Sequence, residues 1–274
     1  MLADIPIVVL DTETTGLNPA MGHRIVELGA VRLENWQVVA EVSQLIQPER
    51  RMDPKASTVN GITDMDLQGQ PTFAQIAPGL LALLNGALVV AHNAAFDAAF
   101  LGQELFISGL ALAGQRPSLA NPWLCTLTLA RNFFHFGSNS LSNIALELGV
   151  RMGQAHRALN DVYMTAAILQ RMAPQLEQKL QLRTVGDLLH AQGGPIYTPP
   201  PPAPFLPTPI QDALQNRRQL HILYIDARGG QSNRVITPLY PTELNGTGYL
   251  VAHCHQKDEQ RTFRLDRIFS ARIV

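Results

Sequence analysis

Cysteine, lysine and unbalanced charge are all scarce in this chain of 274 residues. The two cysteines, Cys125 and Cys254, lie far apart without spaced companions, so neither a disulfide framework nor a zinc knuckle can be assembled from them. That poverty fits a reducing cytoplasm. Charged residues make up only 16% and nearly cancel, with a formal net charge of −1, which excludes a polycation that binds nucleic acid by bulk charge. The most apolar stretch, Leu80 to Leu101, is broken by Asn85, His92, Asn93 and Asp97. The beginning of the chain lacks the basic start and small-residue cleavage site of a signal peptide. The expectation is a soluble cytoplasmic protein with no membrane partner.

What is present begins with a 46% hydrophobic content, enough at this length to bury the cores of two domains. Charge is unevenly distributed. Residues 1 to 180 carry 11 basic and 15 acidic side chains, and residues 181 to 274 carry 10 basic and 7 acidic. Of the basic residues 18 are Arg and 3 are Lys, and the planar guanidinium fork suits phosphate and base stacking. From Pro195 to Pro209 eight of 15 residues are proline, too many for a helix or a central strand. The composition predicts a semi-rigid spacer, roughly 45 Å long if drawn out at about 3.1 Å per residue. The expected organisation is one domain over 1–180, a helical extension and proline-rich linker over 181–209, and a second domain over 210–274.

Before the linker, the continuous apolar run Ile5 to Leu10 predicts a buried strand, followed by strands over Arg24 to Leu33 and Trp36 to Ile46. Helical spacing follows over Phe73 to Leu84, a short strand over Ala87 to Ala91, and helices over Phe96 to Phe106, Ser140 to Leu148 and Ala158 to Met172. Strands first and then alternating helix and strand indicate an α/β domain with a mixed sheet. Past the linker, one helix over Ile210 to Gln219 precedes short strands broken by Gly229-Gly230, Pro241 and Asn245-Gly246, which is turn chemistry.

Three short motifs carry chemistry. Asp11-Thr12-Glu13-Thr14-Thr15-Gly16 stands where the first strand runs out, and residues two apart on a strand share a face, so Asp11 and Glu13 would stand side by side. Such a pair repels unless a cation or donors hold it, and oxygen-preferring Mg²⁺ or Mn²⁺ would resolve the conflict. A turn with a helix-capping acid is the alternative. His92-Asn93-Ala94-Ala95-Phe96-Asp97 marks a strand-to-helix junction, where Asp97 also complements a helix dipole. His156-Arg157-Ala158-Leu159-Asn160-Asp161 leads into the long helix. Five helical residues rotate by about 140°, so His156 is placed on the preceding loop and Asp161 on the helix face toward the sheet.

In this order the three motifs resemble the four-acid-plus-histidine branch of the ribonuclease H-like 3′–5′ exonucleases, the family of the proofreading subunit of bacterial DNA polymerase III. The resemblance spans approximately Ile5 to Leu176, with Arg24-Ile25-Val26-Glu27-Leu28-Gly29 and Gly61-Ile62-Thr63 between the first two motifs. It implies that Asp11, Glu13, Asp97 and Asp161 hold two divalent cations, Mg²⁺ or Mn²⁺, with Asp11 bridging. His156 would take the proton of the attacking water. Thr14, Thr15, Gly16 and Leu17, with His92, Asn93 and Phe96, would receive the 3′-terminal nucleotide. The implied substrate is the 3′ end of DNA, single strands favoured, with RNA as the alternative within the enzyme class. The alternative outside it is a nucleic-acid-responsive regulatory protein that uses the nuclease fold chiefly for binding. Association with a polymerase is open, since the part of the chain where proofreaders bind one differs here.

From Ile210 the chain resembles a WYL domain through Leu220 to Tyr224, Arg234 to Leu239, Gly248 to Ala252 and Arg261 to Ile268, with Gly248 standing where the eponymous Trp would be. That likeness implies a small Sm- or SH3-like β-barrel that senses ligands, often nucleic acids. Tyr249, Arg261, Arg264 and Arg267 are the candidate contacts to a single strand. Ordinary pairing of these arginines with Asp258, Glu259 and Asp266 is the competing account.

Overall fold

The computed structural model describes residues 2–111, 119–151 and 157–274. In the first domain, β1 (Ile7–Thr14), β2 (Ile25–Glu34) and β3 (Gln37–Leu45) form an antiparallel meander. Two short helices, α1 (Pro54–Asn60) and α2 (Asp64–Leu67), lead to α3 (Phe73–Leu84), β4 (Leu88–Ala91) and α4 (Ala94–Ile107). Then come β5 (Trp123–Cys125), α5 (Thr126–Phe133), α6 (Leu141–Glu147), α7 (Ala158–Leu180) and α8 (Val185–Ala191). The sheet order is β3-β2-β1-β4-β5, with β4 parallel to both β1 and β5. This is the mixed, helix-flanked sheet that the strand and helix order predicts.

The central strand β1 assigns the two faces by its alternation. Val8 and Leu10 join Phe73, Leu80 and Phe100 in the core under α3 and α4. Ile7 and Val9 join Val162, Ile168 and Leu169 in the core under α7. The strand does not stop at Leu10, as the apolar run alone suggests. It continues through Thr14, paired with β2 as far as Ile25 and bulged between Glu13 and Thr14, so the first acids sit on rigid strand rather than on a turn.

Helix α9 (Thr208–Gln215) opens the tail, whose strands are β6 (Leu220–Ile225), β7 (Gln231–Leu244), β8 (Thr247–Cys254), β9 (Glu259–Arg264) and β10 (Ile268–Ile273). All pairings are antiparallel, in the order β10-β6-β7-β8-β9. A closed barrel was the expectation. The ladder instead ends at β10 and β9 with no pairing between them among the described residues, because β9 passes through a 3₁₀ turn at Leu265–Arg267 before β10 crosses back to β6. The apolar side of this sheet and Ile210 and Ala213 of α9 enclose a separate small core.

The proline-rich segment is not a detached spacer. Ile196 bridges to Trp123, the buried Thr198 hydroxyl accepts from the Leu119 amide at 2.8 Å, and Pro199 lies against Gly102 of α4. Proline has no N–H to contribute to a sheet, but its ring packs well on a surface, and this stretch runs along the first domain before reaching the tail. Among the described residues no helix is long and apolar enough to cross a membrane.

Candidate active site

The alternation that builds the two cores also builds the site. Asp11 and Glu13 continue the face of Ile7 and Val9, toward α7, where Asp161 stands in the first turn. One carboxylate oxygen from each of Asp11, Glu13 and Asp161 falls within 4.8 Å of the other two. Thr12 points to the opposite face, toward α4. There its amide and hydroxyl donate to Asp97 Oδ1 at 3.1 and 2.8 Å. Asp97 is therefore anchored through β1 itself.

The electrostatics are those of a site assembled for positive charge. Burial, then the charges of Asp97, Asp161, Glu13 and Glu27, drive Asp11 well above the usual carboxylate range. Burial, then Asp161 and Glu27, push Glu13 up to about 7. Burial also pushes Asp97 up to about 7, against the hydrogen bonds from Thr12. Carboxylates held this close prefer a proton or a cation, and an all-oxygen donor set fits Mg²⁺ or Mn²⁺ better than softer metals.

Glu27 explains how Asp161 comes to lie there. It faces Glu13 across the β1–β2 ladder, accepts Arg157 Nε at 3.1 Å and Nη2 at 2.8 Å, and accepts the Ala158 amide at 3.1 Å. A buried carboxylate thus caps the start of α7 and complements its dipole. Gly29 on β2 lets that start approach, since a Cβ there would meet the Ala158 carbonyl carbon and the Leu159 amide at 2.6 Å. The resemblance drew attention to the Glu27-Leu28-Gly29 stretch without a role for it. Its signal in sequence is an acid inside the apolar run Ile25 to Val31.

Beside the acids opens a cleft of about 540 Å³ lined by Glu13, Thr14, Gly16, Leu17, His23 and Phe96, with residues of α1 opposite. Leu17 is 85% exposed at its rim, and Phe96 packs on Phe100 with ring centroids 4.8 Å apart. The expected pocket residues also make contacts of their own. The Thr14 hydroxyl donates to the Gly16 carbonyl at 2.7 Å. Buried Thr15 accepts the Arg24 amide at 3.0 Å and meets His23 Nδ1 at 3.1 Å, so it shapes the loop from behind. His92 lies with its ring nitrogens at 2.9 Å from the Thr126 hydroxyl and 3.1 Å from the Asn139 carbonyl, bracing the far loops instead of lining the cleft. Asn93, with φ of 76°, forms the sharp turn into α4. His156 lies outside the described residues.

The tail candidates do not gather at this cleft. Arg261 pairs with Glu259 at 3.3 Å and Arg264 with Asp266 at 2.6 Å, the ordinary surface pairing, while Tyr249 is half-buried opposite Arg264. No such pair involves Arg267 among the described residues. Tail residues that do reach the first domain include Tyr240, Thr242, Gln260 and Thr262, none of them among the candidate contacts named from sequence.

Fold and acids together define a nuclease class in which carboxylates gather at the end of the central strand of a mixed sheet. The chain belongs to the exonuclease family, which residues 8–169 match, and residues 207–273 match the WYL domain. It is 36% identical over 176 residues to the PolC-type DNA polymerase III of Thermotoga maritima, covering 64% of this chain and 12% of that protein. It is 37% identical over 160 residues to the DNA polymerase III subunit epsilon of Treponema pallidum, covering 57% of this chain and 71% of that one. The chain thus spans about an eighth of the length of its PolC-type relatives. Among solved structures it is similar to exonuclease X in complex with 5′-overhanging duplex DNA, at 26% identity and a TM-score of 0.51, over 68% of this chain and 99% of that one.

Proposed function

We propose that this chain removes nucleotides one at a time from the 3′ end of DNA, single strands preferred, and releases nucleoside 5′-monophosphates. The observation that carries the reading is the convergence of Asp11, Glu13 and Asp161 beside Asp97, next to a cleft of about 540 Å³ that Glu13 also lines. Two divalent cations held by these four acids would supply water activation and charge neutralisation at the scissile phosphate. Asp11, on rigid strand beside Glu13 and Asp161, would be among the residues that hold them. Thr12 keeps the Asp97 carboxylate aimed, and Glu27 and Gly29 keep Asp161 in reach. His156, on the segment just ahead of α7, would accept the proton of the attacking water, as a neutral imidazole does near neutral pH.

In the cleft, Leu17 and Phe96 offer apolar surfaces to the terminal base and sugar, and the backbone of Thr14 to Gly16 approaches the sugar edge. The relatives named for DNA polymerase III, and a structural neighbour bound to a DNA end, favour DNA over RNA. The WYL domain that follows the nuclease domain favours end-processing or repair over replication.

Digestion of matched 3′-labelled and 5′-labelled DNA and RNA strands with Mg²⁺ or Mn²⁺ tests the proposal. From the 3′-labelled DNA strand, labelled mononucleotide should appear first, and the 5′-labelled strand should shorten progressively. Full activity of Asp11→Ala, or undiminished digestion in excess EDTA, would refute it. Faster digestion of RNA would reassign the substrate.

A further inference from the structure

The segment from Gly16 to Arg24 ties the cleft to the tail. Its two ends are joined by the Thr15 amide to the Arg24 carbonyl at 2.9 Å. Gly16, Leu17 and His23 line the cleft, and the far side is a single 3₁₀ turn, Pro19–Met21. A turn this short leaves its carbonyls largely unsatisfied from within. The tail supplies donors in sequence, to the Ala20 and Met21 carbonyls and, beside Arg50 Nη1 of the first domain, to the Gly22 carbonyl. Thr242 Oγ1 donates to the Ala20 carbonyl at 2.6 Å, Thr262 Oγ1 to Met21 at 2.9 Å, and Gln260 Nε2 to Gly22 at 3.2 Å.

Three further features make this a fitted contact rather than a passing one. Thr242 is fully buried although it is polar and lies far along a tail strand, so its hydroxyl depends on this partner. Gly22 has φ of +80°, and a Cβ there would sit 3.0 Å from Gln260 Nε2 and 3.3 Å from Val251 Cγ2. The position therefore favours glycine for its backbone and leaves no slack toward the tail. Tyr240, 7% exposed, closes the same boundary over Arg24 and Arg50. Arg24 in turn grips Glu104 of α4 with Nε at 2.7 Å and Nη2 at 2.8 Å.

We infer that Thr242, Gln260 and Thr262 are positioning residues for the nuclease cleft. Through three consecutive carbonyls they set where the Gly16–Leu17 wall stands against the terminal nucleotide. The tail thus acts on substrate binding without touching the carboxylates. This inference rests on the exonuclease reading above and adds to it a role for the tail within the nuclease site itself.

Steady-state kinetics of the full chain on a single-stranded DNA oligonucleotide test it. Loss of these bonds frees the wall while Asp11, Glu13, Asp97 and Asp161 stay in place. Thr242→Val and the pair Gln260→Ala with Thr262→Val should therefore raise KM roughly tenfold, with kcat changed less than about twofold. Thr242→Ser, which keeps the hydroxyl, should restore KM. Gln260→Ala alone, at a half-buried site, should raise KM by a smaller factor without perturbing the fold, and it carries the test if Thr242→Val unfolds. In folded variants, unchanged KM, or a loss confined to kcat, would overturn the inference while leaving the exonuclease reading intact. A wild-type protein inert on every strand would overturn both.

Discussion

Asp11 and Glu13 are half-buried and Asp97 is buried, and the consequence of crowding their carboxylates is measurable. An unfolded carboxylate titrates near 4, whereas folding pushes Glu13 and Asp97 up to about 7 and Asp11 well above its usual range. Between those values the folded, metal-free protein retains protons that the unfolded chain has lost, so its stability falls as pH rises from about 4 through 7. Divalent cations replace those protons. Thermal melts should therefore show Mg²⁺ or Mn²⁺ raising Tm more at pH 8 than at pH 5.5. Equal shifts at both values would mean that the cations bind elsewhere. Thr12 offers a second test at this scale. Thr12→Val removes the hydroxyl hydrogen bond that aims Asp97 and leaves the volume nearly unchanged, and it should lower nuclease activity by about 10- to 100-fold. Unimpaired kinetics in a folded Thr12→Val protein would show that Asp97 needs no such support.

At the scale of elements, the approach of α7 to β2 is the step that completes the site. Gly29→Ala would force the backbone of Ala158 and Leu159 away from the sheet, costing about 1–3 kcal/mol and pulling Asp161 from Asp11 and Glu13. Denaturant unfolding and Mn²⁺ affinity should both fall; intact affinity would separate the helix position from the metal site. Much of this architecture is legible in sequence because β1 alternates cleanly and the helices of the first domain repeat their apolar residues at helical spacing. The exceptions have physical causes. Strand β5, only Trp123–Cys125, is buried on both faces and offers no alternation to read. Helix α7 runs to Leu180 past Pro174, because Pro174 faces solvent while Met172, Ala173 and Leu176 keep the buried stripe going. Strand β7 likewise continues through Pro238 and Pro241, with a bulge between Pro238 and Tyr240 absorbing the irregularity. At the site itself, acids two apart on a strand announce a cluster. The supports from Thr12, Glu27 and Gly29 depend on partners 85 to 131 positions away in the chain for which no local pattern exists.

At the scale of the whole molecule, the Ala20–Gly22 carbonyls, the Tyr240 boundary and the proline-rich strap join the two domains. Proline density identifies that strap in sequence but not its course, which is set by contacts such as Pro199 on Gly102. Its far end explains why glycine stands where WYL domains carry tryptophan. A Cβ at Gly248 would come within 2.8 Å of Pro204 and 2.9 Å of Leu265, so the strap occupies the space that a large side chain would take. Gly248→Trp should expel the strap and expose it to limited proteolysis around 199–207, with lowered Tm; unchanged digestion would show that the strap is held elsewhere. These connections set the surroundings of one acidic centre, on which the chemistry depends. Diffraction at the manganese absorption edge from crystals grown with Mn²⁺ and a nucleoside 5′-monophosphate tests that centre most directly. The account expects anomalous peaks enclosed by Asp11, Glu13, Asp97 and Asp161, with the nucleotide beside Leu17 and Phe96. Manganese bound only elsewhere, with those four carboxylates empty, would contradict it.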